Sequence, residues 1–208
     1  MSEVQNILLL GVGGQGVMTL AEVMALAAIQ TGRPVRAYHQ SGLEQLGGPV
    51  TCHLRIGQSF SPKIPPGSAD AVLSLELAET AKAIPYLKKG TVVVASQQKV
   101  TRSLSSDSRQ RYPDPQVLAE ICAQRGAIPY FLSPEQLGIA AEQHRANMVL
   151  LGIFCALLGS LPVDAVEHAL TIRFPRDLEP NMRALKRGIE LGTTLAKPSL
   201  ANGVSAAN

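Results

Sequence analysis

Four glycines within six residues, Gly11, Gly13, Gly14 and Gly16, form the strongest chemical signal in the sequence, with Gln15 between the last two. Glycine lets a chain turn tightly and bring its backbone close to a phosphate, and a helix that follows can offer its first N–H groups to an anion. A run of this kind between a strand and a helix is typical of phosphate or dinucleotide binding. We therefore assign these five residues to a cofactor-binding loop.

The second predicted strand bears on which ligand this loop binds. A loop that binds NAD requires an acidic residue about twenty positions further on, at the end of the second strand, to hold the ribose. The second strand, predicted at residues 35–39, ends in Tyr38 and His39 and contains no acidic residue. We predict that the loop does not bind NAD. A structural glycine turn or a contact with a different phosphate remain the two alternatives.

A second glycine-containing segment, residues 40–49, supplies the other candidate binding residues, Gln45, Gly47 and Gly48. Its glycines and amides could line a cofactor or an opposing subunit, and the alternative is an ordinary connection between strands. His53 and Arg55 lie further along on the predicted outer face of a strand, where they are either ligand groups or residues that are solvated or hydrogen-bonded locally. We find no nucleophile elbow and no acid/base pair of carboxylates, and we predict no catalytic residue in this chain.

Composition excludes several classes of function. The net charge is only +3 and the basic residues are scattered, which argues against nucleic acid as the main partner. Cys52, Cys122 and Cys155 lie far apart without a Cys-x-x-Cys pair, so we expect no zinc or iron–sulfur site built from this chain alone. No run approaches the roughly 20 apolar residues of a membrane span, and no signal peptide is evident. We expect a cytoplasmic protein that does not bind membranes.

The elements that would position these residues alternate along the chain and then become purely helical. Strands are predicted at residues 6–10, 35–39, 50–56, 71–75, 91–95 and 127–132, and helices at 17–29, 76–88, 115–124, 134–142, 147–158, 163–171 and 178–195. Two consecutive strands at 35–56, joined by a loop, indicate an antiparallel pair. We therefore expect an α/β fold: a three-layer sandwich with a Rossmann-like mixed sheet and C-terminal helices, in one domain at 1–196 with a flexible tail at 197–208.

Several motifs together resemble a known family. They are ILLLGVGGQG at 7–16, Gln45-x-Gly47-Gly48-x-Val50-x-x-HLRIG ending at 57, DAVLSLE at 70–76, YLKKGTV at 86–92, Asn147-Met148 and Leu161-Pro162. Over about residues 5–195 the chain resembles the beta subunit of indolepyruvate oxidoreductase and the gamma subunit or domain of 2-oxoacid:ferredoxin oxidoreductases. Leu46 and Pro49 depart from it, because related proteins commonly carry arginine and serine there.

The resemblance implies a division of labour between subunits. A large partner subunit would hold thiamine diphosphate, Mg²⁺ and the [4Fe-4S] clusters, decarboxylate the 2-oxoacid, pass the acyl group to coenzyme A and send electrons to ferredoxin or another acceptor. This chain would complete the assembly and contact the coenzyme A or substrate side. The alternatives are a self-contained NAD- or FAD-binding oxidoreductase and a nucleotide-binding regulatory protein.

The predicted first helix is apolar on all sides, with Glu22 as its only charge. One sheet cannot shelter such a helix, so we expect a second covering. We predict that its remaining apolar surface is exposed in the isolated chain and docks on the large subunit, with Gln40, Glu44 and Gln45 near the junction.

Overall fold

The computed structural model describes residues 4–42, 47–100, 112–138 and 145–197. The predicted binding residue Gln45 and the departure at Leu46 lie outside these ranges, as do most of the predicted tail and the second half of the helix expected at 134–142. The strands are β1 Gln5–Val12, β2 Val35–Ser41, β3 Pro49–Ile56, β4 Ala71–Ser74, β5 Val92–Ser96 and β6 Ile128–Leu132. The helices are α1 Val17–Gln30, α2 Pro115–Gln124, α3 Pro134–Leu137, α4 Ala146–Leu158, α5 Val163–Arg173 and α6 Leu178–Ala196, with a 3-10 helix at Glu79–Tyr86.

One six-stranded mixed sheet has the order β2-β3-β1-β4-β5-β6. β1 is antiparallel to β3 and parallel to β4, and the parallel pairing continues through β5 to β6. β2 and β3 are the expected antiparallel pair, and they lie on the far side of β1 from the parallel strands. The predicted α/β fold with a mixed sheet and an antiparallel element is confirmed.

β1 is buried on both faces because each face of the sheet carries its own apolar core. Ile7 and Leu9 point into the larger core, which α1 and the C-terminal helices complete, while Leu8 and Leu10 point into a smaller core with residues of the 3-10 helix and α2. Opposite faces alternate along a strand, so an uninterrupted apolar run is what this position requires. The result is the expected three-layer sandwich.

The expectation that α1 leaves a broad apolar patch for a partner is wrong. Leu20, Val23 and Met24 have no exposed surface, because α5 and α4 pack on the side of α1 that the sheet does not cover. Glu22 is paired with Arg173 of α5, with 2.6 Å between Oε2 and Nε. Ile29 is the one exposed large apolar side chain of this helix. The second covering that the sequence requires is supplied by the chain itself.

The segment predicted as an α-helix at 76–88 forms only the short 3-10 helix. Pro85 lies inside it and has no N–H to donate to an α-helical ladder. The buried carboxylate of Glu76 accepts a hydrogen bond from the N–H of Glu79 at 2.9 Å, so Glu76 lies before the helix and stabilises its start. Among the described residues, no helix combines the length and the apolar character that crossing a membrane requires.

Candidate functional site

The glycine run forms the turn between β1 and α1, as the sequence predicted. Gly14 has a φ of 96° and Gly16, the residue before the helix, a φ of 79°. A side chain on Gly16 would also collide with Asn147, whose Nδ2 lies 2.5 Å from the position of a Cβ. At Gly11 a Cβ would lie 2.8 Å from Cγ2 of Val17. Both ends of the turn are therefore closed to larger residues by close packing.

The side-chain amide of Gln15 ties this turn to the end of β4. Its Oε1 accepts from the N–H of Val12 at 2.9 Å, and its Nε2 donates to the carbonyl of Leu75 at 3.0 Å. Both hydrogen-bonding ends of the amide are thus used within the chain. The sequence singled out Gln15 for cofactor binding, and the structure shows a positioning role that sequence reasoning missed.

Asn147, at the start of α4, fixes the other side of the turn. Its Nδ2 donates to the carbonyl of Gly16 at 3.2 Å, and its Oδ1 accepts from the N–H of Met148 at 2.9 Å. The side chain is almost fully buried. A buried amide that is bonded at both ends holds its neighbours in a defined geometry, so α4 and the glycine turn are locked together.

The two glycine segments that the sequence assigned to binding meet backbone to backbone. The N–H of Gly13 donates to the carbonyl of Gly48 at 2.8 Å, and the N–H of Gly47 donates to the carbonyl of Gly13 at 3.2 Å. The structure therefore brings Gly13, Gly47 and Gly48 together at one end of the sheet.

A surface pocket of about 400 Å³ opens beside this contact, at the amino terminus of α1. It is lined by Val12, Gly13, Gly14, Gly16, Val17, Met18, Thr19 and Val50. No side chain caps the first turn of α1, and no acidic residue lies in it. The free N–H groups and the positive end of the helix dipole suit this pocket to an anion held by backbone groups.

Beside the glycine turn, the sheet order differs from that of a dinucleotide-binding fold. In a dinucleotide-binding fold the second strand is parallel to the first and lies beside it, with an acidic residue at its end. Here β3 lies between β1 and β2, and β2 runs antiparallel to β3 at the edge of the sheet. β2 therefore lies one strand away from β1, and the expectation that the loop does not bind NAD stays a prediction.

Of the alternatives left open for His53, the structure shows a hydrogen-bonded side chain, and this side chain is buried. The segment after β3 folds back over it, and its Nδ1 accepts a hydrogen bond from the N–H of Ile64 at 3.2 Å. The ring contacts those of Tyr38 and Tyr86, with centroids 5.8 and 5.3 Å away. Burial lowers the pKa of His53, and the charge of Lys63 lowers it further.

The three cysteines, Cys52, Cys122 and Cys155, are free and buried. Burial raises the pKa of the Cys52 thiol to about 11 and that of Cys155 to about 12. A thiol with such a pKa stays protonated and is a poor nucleophile. In the part of the chain that the structure describes, no group of three or more His, Cys, Asp or Glu side chains is placed to share a metal ion.

Comparison with known proteins assigns this architecture to a family. The sequence profile of the pyruvate ferredoxin/flavodoxin oxidoreductase family matches residues 6–191, so the chain belongs to that family. It is 31% identical over 190 residues to indolepyruvate oxidoreductase subunit IorB of Archaeoglobus fulgidus, covering 88% of this chain and 92% of the relative. It is 28% identical over 184 residues to the common gamma subunit of the pyruvate/ketoisovalerate oxidoreductases of Pyrococcus abyssi, covering 86% and 92%.

Solved structures agree on the fold. The gamma subunit of the keto/oxoacid ferredoxin oxidoreductase of Geobacter sulfurreducens superposes with a TM-score of 0.65 at 26% identity, over 91% of this chain and 99% of that one. The 2-oxoglutarate:ferredoxin oxidoreductase of Magnetococcus marinus superposes with a TM-score of 0.67 at 17% identity. That match covers 93% of this chain but only 32% of the longer one, so the same fold occurs there as a part of a larger polypeptide.

Proposed function

We propose that this chain is the small subunit of a cytoplasmic, thiamine-diphosphate-dependent 2-oxoacid:ferredoxin oxidoreductase that acts on indolepyruvate or a similar arylpyruvate. The large partner subunit holds thiamine diphosphate, Mg²⁺ and the [4Fe-4S] clusters. The complex converts a 2-oxoacid and coenzyme A to an acyl-coenzyme A and CO₂, and two electrons leave for ferredoxin.

The observation that carries this proposal is the extent of the matches. Relatives named as subunits are matched over 92% of their length, whereas the longer enzyme chain is matched over 32%. The chain thus corresponds to a subunit-sized part of a larger catalytic assembly. The arylpyruvate substrate is favoured because IorB subunits are the relatives at about 30% identity.

Within that complex we assign the pocket at the amino terminus of α1 to a phosphate of coenzyme A. The support is its open helix terminus without a competing carboxylate, beside the contact of Gly13 with Gly47 and Gly48. The binding assignment of the residues at 11–16, of Gly47 and Gly48, and of Gln45 remains a prediction. In this arrangement the chain binds and orients a co-substrate and supplies no acid or base.

Reconstitution tests the function. The isolated chain is expected to show no 2-oxoacid oxidation and no iron–sulfur absorbance, and co-expression with the large subunit should give a stable complex with both. Indolepyruvate, pyruvate and 2-oxoglutarate are compared as substrates by reduction of ferredoxin. Oxidation of a 2-oxoacid by the isolated chain, or micromolar binding of NAD to it in a calorimetric titration, would contradict the proposal.

The coenzyme A pocket has its own test in Thr19→Glu, with Thr19→Gln as the matched control. A glutamate in the first turn of α1 places a carboxylate where the phosphate is expected, yet it interacts favourably with the helix dipole. We expect about a tenfold higher KM for coenzyme A, corresponding to about 1.4 kcal/mol, with an unchanged or higher melting temperature. Equal KM values for the two variants would contradict the assignment of a coenzyme A phosphate to this pocket.

A further inference from the structure

The two edges of the sheet are treated differently by the sequence. At one edge, β6 carries Pro129, and the bonds from the N–H of Ile128 to Thr91 and from the N–H of Gln97 to Leu132 show that residue 129 points away from β5. Proline there removes an outward donor, which is a common way of blocking an edge strand. At the other edge, β2 has no proline and no lysine, and five of its seven residues are exposed.

The pairing of β2 with β3 determines which backbone groups of β2 are free. The N–H of Gly57 donates to the carbonyl of Pro34, and the N–H of Gly42 donates to that of Pro49. In an antiparallel ladder hydrogen-bonded pairs alternate, so the even-numbered residues of β2 bond to β3. The N–H and C=O groups of Val35, Ala37, His39 and Ser41 therefore point outward, where no described strand lies.

The described segments that form and flank this edge contain cationic side chains and no carboxylate side chain. Residues 33–42 and 47–69 contain Arg33, Arg36, Arg55 and Lys63 and no Asp or Glu. These arginines donate to oxygens of Ser160, Ser59, Ser61 and Asn6, none of them a carboxylate. None of the ion pairs among the described residues includes any of the four cations.

Phe60 adds an apolar anchor beside the edge. Its relative exposure is 103%, the highest of the exposed large apolar side chains. It follows Ser59, whose carbonyl accepts the hydrogen bond from Nε of Arg36 on β2, so the edge strand holds the segment that presents it. Aromatic side chains and arginines are the residues that most often dominate binding at protein interfaces.

We propose that β2 is the docking edge for an extended, carboxylate-bearing segment of the large subunit, which adds to the sheet as a seventh strand and offers an apolar recess to Phe60. Such strand addition uses main-chain hydrogen bonds for affinity and side chains for specificity. A second copy of this chain fits the edge less well, because the described segments of its own edge would bring a second set of the same four cations and no carboxylate. The inference rests on the proposed function for the identity of the partner.

Amide hydrogen exchange resolved to single residues reports strand addition directly. In the isolated chain the amides of Ala37, His39 and Ser41 should exchange fast while those of Tyr38 and Gln40 are protected, and in the complex with the co-expressed large subunit all five should be protected. An alternating pattern that persists in the complex overturns the proposal. Protection of the odd-numbered amides that rises with the concentration of the isolated chain also overturns it, since the occupant is then a second copy.

Variants test the same edge by affinity. Ala37→Pro removes an outward N–H without removing a bond to β3, and Ala37→Val keeps that N–H and is the matched control. We expect Ala37→Pro to weaken association with the large subunit at least about tenfold and Ala37→Val by less than about threefold. Affinity of the wild type should also fall as salt is added, because Arg36 and Lys63 carry two of the charges involved and are exposed.

Two further substitutions keep the test decisive if the proline variant does not fold. Phe60→Ser and His39→Glu change exposed side chains, so the melting temperature of the isolated chain should stay at the wild-type value while association weakens. Wild-type affinity in both variants overturns the docking edge and leaves the subunit function intact. A wild-type chain that does not associate with the large subunit overturns both.

Discussion

Replacement of Gln15 measures how much the glycine turn depends on one amide. In Gln15→Leu the N–H of Val12 and the carbonyl of Leu75 lose their partner, and both residues are only 1% exposed. An unpaired buried polar group costs about 1–3 kcal/mol. Gln15 itself is partly exposed, so water can reach part of the site, and each of the two groups should cost an amount in the lower part of that range. For the two groups together we expect a loss of about 2–3 kcal/mol in the free energy of unfolding.

Gln15→Glu separates hydrogen bonding from shape, since the two side chains are nearly isosteric. A carboxylate still accepts from Val12 but faces the carbonyl of Leu75 without a proton to donate. The protonated form restores the donor, so the pKa of this glutamate is expected to be higher in the folded than in the unfolded chain. The stabilising contact is then fully present below the unfolded pKa of about 4.3, and it is lost as the pH rises through the folded pKa.

Urea unfolding followed by circular dichroism gives the required free energies at about pH 7 and about pH 4. The gap between Gln15→Glu and the wild type should narrow at the lower pH, while the gap for Gln15→Leu should stay constant. Gln58→Glu, at an exposed glutamine, is the control and should differ from the wild type by less than about 0.5 kcal/mol. A Gln15→Glu variant as stable as the wild type at neutral pH would show that the hydrogen bond from Gln15 to Leu75 does not stabilise the turn.

Two more predictions concern packing and pH. Gly188→Ala on α6 would place a Cβ 2.1 Å from the carbonyl oxygen of Val149 on α4, so we expect it to lower the free energy of unfolding by about 3 kcal/mol or more. Gly159→Ala is the control: its φ is 62° but the space around it is open, so the loss should be about 1–2 kcal/mol. Equal urea midpoints for the two variants would contradict this prediction. Burial and the charge of Lys63 lower the pKa of His53, so the free energy of unfolding of the wild type should decrease as the pH falls below about 6.5. In His53→Gln this decrease should be smaller. If urea titrations give the same dependence of the free energy of unfolding on pH for both proteins, His53 is not responsible for it.

The strands of the sheet could be predicted from the sequence because each has its own local pattern. Residues 50–56 alternate strictly, and the structure buries Val50, Cys52, Leu54 and Ile56 as that pattern requires. The burial of His53 could not be predicted in this way. It results from residues 57–68 folding over the second face, and alternation along a strand carries no information about what covers it.

The apolar pattern of α1 shows that a second covering is needed, but it does not show whether a partner or the chain itself supplies it. The sequence does hold a signal for the true arrangement. Gly188 and Gly192 lie one turn apart on α6, and together with Gly152 on α4 they let the two helices approach so closely that a Cβ at any of them would clash. α4 and α6 therefore form a close pair, and α4 together with α5 covers the side of α1 that the sheet does not reach.

For the candidate site, the glycine turns could be predicted from the sequence, but their contact with each other could not. The chemistry of glycine marks a turn wherever it occurs, so residues 11–16 and 47–48 could be recognised separately. Their contact depends on β3 lying next to β1, which places Gly48 against Gly13. The positioning roles of the two amides depend on the fold in the same way. Gln15 acts only because the fold brings it close to Leu75, and Asn147 only because the fold brings it close to Gly16. Glutamine and asparagine carry no local pattern that separates a positioning amide from one that is free to bind a ligand.

The β2–β3 hairpin connects the two surfaces proposed for binding. At one end of it, residues 47–48 bond to the glycine turn that borders the proposed coenzyme A pocket, and Val50 of β3 lines that pocket directly. Its outer strand is the proposed docking edge. A strand added to β2 would be linked to the pocket through the hydrogen-bonded pair of β2 and β3, and packed elements of this kind can carry coupling between two sites. The proposed docking edge and the proposed coenzyme A pocket therefore depend on the same pair of strands, β2 and β3.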